Sequence, residues 1–222
     1  MHPALPRARP GVADVELLRG ARAPADVLPS LLVEAPHGAT TPEDYEALRA
    51  RLVSALPQDL HEFFYVNTDV GSWEYGRRVA ALALAAAPER AALVIRCRIP
   101  RTFVDVNRDL GAVGGDLARG QLTAAIPPFI TADADLALLG ELHAAYAALV
   151  ERAYAAICGA GGYALVAHTY GPRTLGIATV DRDIIHNLRW AHEPARVETW
   201  PLRAELDLLT RPPLGDGDGL GD

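Results

Sequence analysis

The residues of this chain best suited to chemistry are His37, Asp69 and His168, two imidazoles and a carboxylate that each follow an apolar run. Two histidines and one carboxylate are the ligand set of a catalytic zinc, which takes three protein ligands and keeps a fourth position open for water. Their spacing is too long for a local motif. His192-Glu193 opens like a His-Glu-x-x-His helix, but Arg196 stands where the second histidine belongs. The residues alone leave two readings open, a metal site or plain structural histidines.

A second cluster is cationic. Arg96, Arg98, Arg101 and Arg108 fall within thirteen residues and are interleaved with Ile95, Cys97, Ile99, Phe103 and Val104. Arginines beside apolar surface need an acidic partner or a ligand, because an unpaired charge is expensive to desolvate. A guanidinium fork matches a carboxylate with two parallel hydrogen bonds, and Asn107 can add a third. Asp105 is the expected internal partner.

The elements that must position these groups can be read from pattern. Leu31 to Ala35 is a short apolar run cut off by Pro36-His37-Gly38, which predicts a buried strand ending in a tight loop with His37 at the rim of a sheet. Tyr163 to Ala167 predicts a second such strand, ending in His168. Between them, Thr41-Pro42-Glu43-Asp44 marks a helix start, and Tyr45, Leu48, Leu52 and Leu56 recur at helical spacing. Phe63 to Val66 reads as an aromatic strand leading into Asn67-Thr68-Asp69, and a helix starts near Ser72 whose later part, Val79 to Ala87, is apolar enough to be buried. Leu93 to Ile95 is a further strand, and residues 111–130 form a long irregular connection. The longest helix spans 133–158, with Leu136, Leu139, Leu142, Tyr146, Leu149, Ala153 and Ile157 as its stripe. Gly159-Ala160-Gly161-Gly162 follows a helix and precedes a strand, so it reads as a cap and turn and not as a dinucleotide loop. Arg196 to Trp200 is expected to be a late strand.

Strands alternating with helices predict an α/β fold, a three-layer α/β/α sandwich. Residues 1–25 read as an extended arm, 26–212 as one domain and 213–222 as a disordered tail. Of 222 residues, 50% are hydrophobic and 22% charged, the composition of a globular protein. The net charge of −7 and the lack of a basic run argue against nucleic acid as a partner. Cys97 and Cys158 are too few for a disulfide scaffold and read as reduced core residues. With no apolar leader or membrane span evident, the cytoplasm is the expected location.

In order along the chain, Pro36-His37-Gly38, Asn67-Thr68-Asp69, Phe103-Val104-Asp105-Val106-Asn107-Arg108 and His168-Thr169-Tyr170 with Arg173 resemble the signature of the N-formylglutamate amidohydrolase family. The resemblance spans roughly residues 30–210, and Val-Asp-Val-Asn-Arg is its most specific piece. It implies a phosphorylase/hydrolase-like fold with a mixed sheet, related to the zinc carboxypeptidases, that hydrolyses the formyl amide of a small acidic N-acyl amino acid. It implies zinc held by His37, His168 and Asp69, with Glu74 as the reserve acid. Asn107 and Arg108 would grip the substrate carboxylate, with Arg101 and Arg173 assisting. A late glutamate would be the general base; Glu205, flanked by Ala204, Leu206, Leu208 and Leu209, fits better than Glu198. The chain departs from the family in having Gly38-Ala39 where serine and glycine are usual, and Val166 where an aspartate usually precedes the second histidine. The rival expectation is a non-catalytic protein that captures an anionic metabolite in the same pocket.

Overall fold

A computed structural model describes residues 4–111, 124–177 and 179–208. The expectations for the connection over 112–123 and for the tail over 213–222 lie outside the described residues. The fold is of the α/β class, built on a mixed four-stranded sheet. Its strands are β1 (Ala13–Arg19), β2 (Leu31–Ala35), β3 (Ala91–Cys97) and β4 (Tyr163–Val166), in the order β1-β3-β2-β4. β1 pairs antiparallel with β3, whereas β2 runs parallel to both β3 and β4. The extended arm is therefore not free of the domain: Ala13 to Arg19 forms an edge strand in register with Cys97 to Ala91.

The helices are α1 (Pro42–Arg49), α2 (Leu60–Asn67), α3 (Ser72–Ala86), α4 (Asp133–Ile157), α5 (Ile184–Ala191) and α6 (Pro194–Val197). Side chains alternate across a strand, and the packing follows that alternation. Leu32, Leu93, Ile95 and Cys97 cluster with Leu139, Tyr146 and Leu149 of α4, while Val33, Ala92 and Val94 cluster with Ala80 and Leu84 of α3. α1 starts as its signals predict, with the Thr41 hydroxyl accepting from the Asp44 amide and Pro42 in the first turn. It ends at Arg49, so Leu52 and Leu56 lie beyond it.

Three local expectations are corrected. Phe63 to Val66 is not a strand but part of α2; the buried set Leu60, Phe63 and Phe64 has helical spacing, and Tyr65 and Val66 face water. The apolar later part of α3 is buried only along Ala80 and Leu84, which continue the ridge of Ser72 and Gly76, and Leu82 is exposed. Arg196 to Trp200 is not a strand, because Pro194 occupies the first turn of the short α6, where its missing amide costs nothing. In α4 the stripe is as expected at Leu139, Tyr146, Leu149, Ala153 and Ile157, but Leu136 is exposed. A 3-10 turn over Cys158–Ala160 and Gly161 at φ +85° form the expected cap and turn. Cys97 and Cys158 are both free thiols, Cys97 buried and Cys158 half-buried. Among the described residues, no helix is long and apolar enough to cross a membrane.

Candidate metal centre

Parallel strands put their C-terminal ends on one edge of the sheet, where open α/β sheets keep their sites. Register pairs Glu34 of β2 with Val166 of β4, so the loops that follow bring His37 and His168 together, ring centroids 4.9 Å apart. Gly38 has to be glycine at this point: a Cβ there would lie 2.7 Å from the Arg96 Cγ and 3.1 Å from the Ala35 carbonyl. The Arg96 Nε donates to the Gly38 carbonyl at 2.7 Å, which holds the turn after His37. A serine side chain has no room where this arginine packs.

Asp69 arrives from the loop between α2 and α3. That loop is strapped on both sides: the Thr68 hydroxyl donates to the Ala39 carbonyl at 2.9 Å, and the Thr169 hydroxyl to the Val70 carbonyl at 2.8 Å. One ligand atom from each of His37, Asp69 and His168 lies within 4.8 Å of the others, a group that could hold a metal ion. Asp69 Oδ2 is 2.9 Å from His168 Nδ1 and 3.4 Å from His37 Nδ1, and it accepts from the Thr169 amide at 3.2 Å. His37 and Asp69 are buried, whereas the His168 side chain is about one-third open to solvent. Glu74 is exposed in the first turn of α3 and does not join this group.

The two nitrogens of His37 have different fates. Nε2 is 2.8 Å from Asp105 Oδ1, while Nδ1 is fully buried with no hydrogen-bond partner. A carboxylate on one ring nitrogen fixes the tautomer and leaves the other nitrogen's lone pair for a metal. An orphaned buried nitrogen facing a carboxylate and a second imidazole fits a metal of the zinc type, which takes nitrogen and carboxylate oxygen donors. The titration behaviour reflects the same contacts. Burial pushes the Asp69 carboxyl up, but His168 and His37 outweigh it and hold the group at about 2. Asp105 is likewise pushed up by burial and pulled well below the usual carboxylate range by His37 and Arg101. For His37 burial lowers the pKa, and Asp105 and Asp69 more than reverse that.

Asp105 is the internal partner expected for the arginines. Arg101 Nε and Arg108 Nε each donate to its Oδ2 at 3.0 Å, and the Asn107 backbone N–H donates to its Oδ1 at 3.0 Å. Arg101 also comes within 3.8 Å of Asp69. Arg96 and Arg98 pair with Asp44 and Asp14 instead. Asn107 and Arg108 line a cavity of about 810 Å³ together with Glu34, Asp105, Tyr146 and Tyr154. Arg173 contacts the C-terminal segment: it donates to the Trp200 carbonyl at 2.7 Å and pairs with the Glu198 carboxylate. Glu205 lacks the apolar setting anticipated for it. It is exposed, as are Leu206 and Leu208, and its segment is tethered by the Tyr170 hydroxyl, which lies 2.9 Å from the Ala204 carbonyl and 2.8 Å from an Asp207 carboxylate oxygen.

Pattern reasoning missed Glu34, Tyr146 and Tyr154 as polar groups of the site, and the contact of Asp105 with His37. Glu34 is buried, and its two carboxylate oxygens accept from Tyr146 at 2.9 Å and Tyr154 at 3.1 Å. One signal was available, an acid inside an otherwise apolar strand directly before Pro36-His37. Comparison of the chain with family models, with curated proteins and with solved structures returned no match in any of the three.

Proposed function

We propose that this chain is a zinc-dependent amidohydrolase of the deformylase or deacylase type, cleaving the amide of an N-formyl or other N-acyl amino acid, with N-formylglutamate as the substrate that the family resemblance implies. The observation that carries the reading is the buried, unpartnered Nδ1 of His37, with Nε2 of the same ring on Asp105 and with Asp69 and His168 beside it. His37, Asp69 and His168 would hold the metal. Zinc in such a setting activates water near neutral pH and polarises a carbonyl.

The protein's own residues have separate tasks in this scheme. Asp105 keeps His37 in the tautomer that binds metal. Asn107 and Arg108 face the substrate from the cavity wall, Arg101 adds positive charge next to Asp69, and Arg173 steadies the C-terminal segment that carries Glu205. Glu205 takes a proton from the attacking water and returns it to the leaving amine, so that amide and water become amine and carboxylate. The same reading takes the fold as a three-layer α/β/α sandwich, supported by the two clusters that divide the β2 and β3 side chains between α4 and α3. It takes the location as cytoplasmic, in keeping with two free thiols.

The exposure of Glu205 favours a second reading, a binding protein that keeps the pocket without turnover. Metal analysis of the purified chain, with formate release from N-formyl amino acids, separates the two. About one zinc per chain with formate released supports the hydrolase. Bound ligand with no product at any metal loading supports the binding protein.

A further inference from the structure

The positive charge that the sequence offers to an anionic ligand is answered within the protein. Arg96 and Arg98 are on Asp44 and Asp14, Arg101 and Arg108 on Asp105, and Arg173 on Glu198. Besides Asp105, the wall of the 810 Å³ cavity carries the acids Glu34, Asp109 and Glu151, and of these three only Glu34 is buried, at 7% exposure. Its hydrogen-bond partners are two phenols, which orient the carboxylate without cancelling its charge. Among the described residues no arginine forms an ion pair with it. A carboxylate offers about four acceptor sites, so capacity remains beyond the two tyrosines. A buried charge without a counter-ion is costly to a fold and favourable to a ligand that supplies one. Burial raises the Glu34 carboxyl, and its bonds to Tyr146 and Tyr154 and the nearby His168 and His37 lower it in part. Val150, Ala147 and Val166 add apolar surface to the wall, and Arg108 and His143 also line it.

We infer that this cavity binds a protonated amine on a short aliphatic stem, with Glu34 as the specificity-determining residue that receives the ammonium. The inference rests on the amidohydrolase reading only for the reacting end of the substrate. The stem lies along Val150 and Val166, and Tyr146 and Tyr154 hold the carboxylate in position to meet the charge. The preferred N-acyl amino acid then has a basic side chain, in place of the acidic one that the family resemblance implies.

Calorimetry on the protein as purified tests this with three ligands whose sulfonamide resists hydrolysis: the methanesulfonyl derivatives of lysine, norleucine and glutamate. The lysine compound should bind tighter than the norleucine compound by about tenfold or more, the value of a charge-assisted hydrogen bond, with the glutamate compound weakest. Glu34→Gln keeps an acceptor for the tyrosines, so its melting temperature should stay near wild type while the lysine advantage disappears. Equal binding of lysine and norleucine compounds by wild type, tightest binding of the glutamate compound, no heat from the lysine compound at millimolar concentration, or a lysine preference that survives in Glu34→Gln would each overturn the inference. The wild-type ranking decides even where the variant does not fold. Formate release from the N-formyl forms separates the two readings. The predicted ranking without any formate leaves the cation site standing and removes the hydrolase, whereas formate released equally from all three leaves the hydrolase standing and removes the cation preference.

Discussion

Asp44 and Asp105 are two buried aspartates, each held by two arginines of the same cluster, and they do different work. Asp44 accepts from Arg96 at 3.2 Å and from Arg98 at 2.6 Å, and it packs at the start of α1 beside its Thr41 cap. Its partners are donors that also bond elsewhere, Arg96 to the Gly38 carbonyl and Arg98 to Asp14, so the group fastens α1 to the end of β3. Asp105 accepts from Arg101 and Arg108 in the same way, but it also engages His37, whose other nitrogen is buried 3.4 Å from Asp69 without a hydrogen bond. A neutralised buried carboxylate is structural by default. It belongs to a site when it fixes a group that still has an unmet bond.

The sharpest way to break this contrast is to remove the unmet bond itself. His37→Ala and His168→Ala should each reduce zinc from about one per chain to background, measured by plasma emission on dialysed protein. Wild-type zinc in both variants would make the Asp105 cluster as structural as the Asp44 one.

The next test treats the two aspartates alike. Asp44→Ala and Asp105→Ala should each cost about 1–3 kcal/mol in urea unfolding, because each leaves two half-buried arginines without their acceptor. Asp105→Asn should in addition lower zinc affinity by roughly 10–100-fold, since an amide is a poorer partner for the imidazole. Asp44→Asn should leave zinc affinity unchanged in a competition titration with a chelator.

Glu205 and Glu198 make a smaller contrast of the same kind. If Glu205 is the base, Glu205→Gln should keep zinc and reduce formate release by a factor on the order of a hundred. Glu198→Gln removes only the partner of Arg173 and should leave turnover close to wild type.

The smallest effect concerns a carboxylate remote from both clusters. Burial pushes Asp135 up, but hydrogen bonds from Ser54 and from the Val53 amide hold it below its usual 3.8. A depressed folded pKa contributes stability that is complete above about 3.8 and is lost as pH falls through the folded value. Asp135→Asn should therefore lower stability by about 1 kcal/mol near neutrality and converge with wild type at low pH, which flattens the acid limb of a stability-against-pH curve.

The sequence by itself determined the features that depend on neighbours along the chain. The ends of β2 and β4 at His37 and His168 were legible because a short apolar run followed by turn residues is a local signal. The start of α1 was legible because capping is decided within one turn. The Asp105 pairing was legible because Arg101 and Arg108 are within four residues of it. Only the tertiary structure decided the rest. Asp69 and not Glu74 reaches the histidines because the α2–α3 loop is strapped to Ala39 on one side and to Thr169 on the other, contacts made across 29 and 99 residues. Phe63 to Val66 became helix because the burial of Leu60, Phe63 and Phe64 outweighed the β preference of an aromatic run, as tertiary packing commonly does. Glu34 became the wall of a cavity because β2 pairs with β4 in one register and α4 brings two tyrosines over it from more than a hundred residues away. A convergence of that kind depends on strand order and register, which no stretch of the chain records alone.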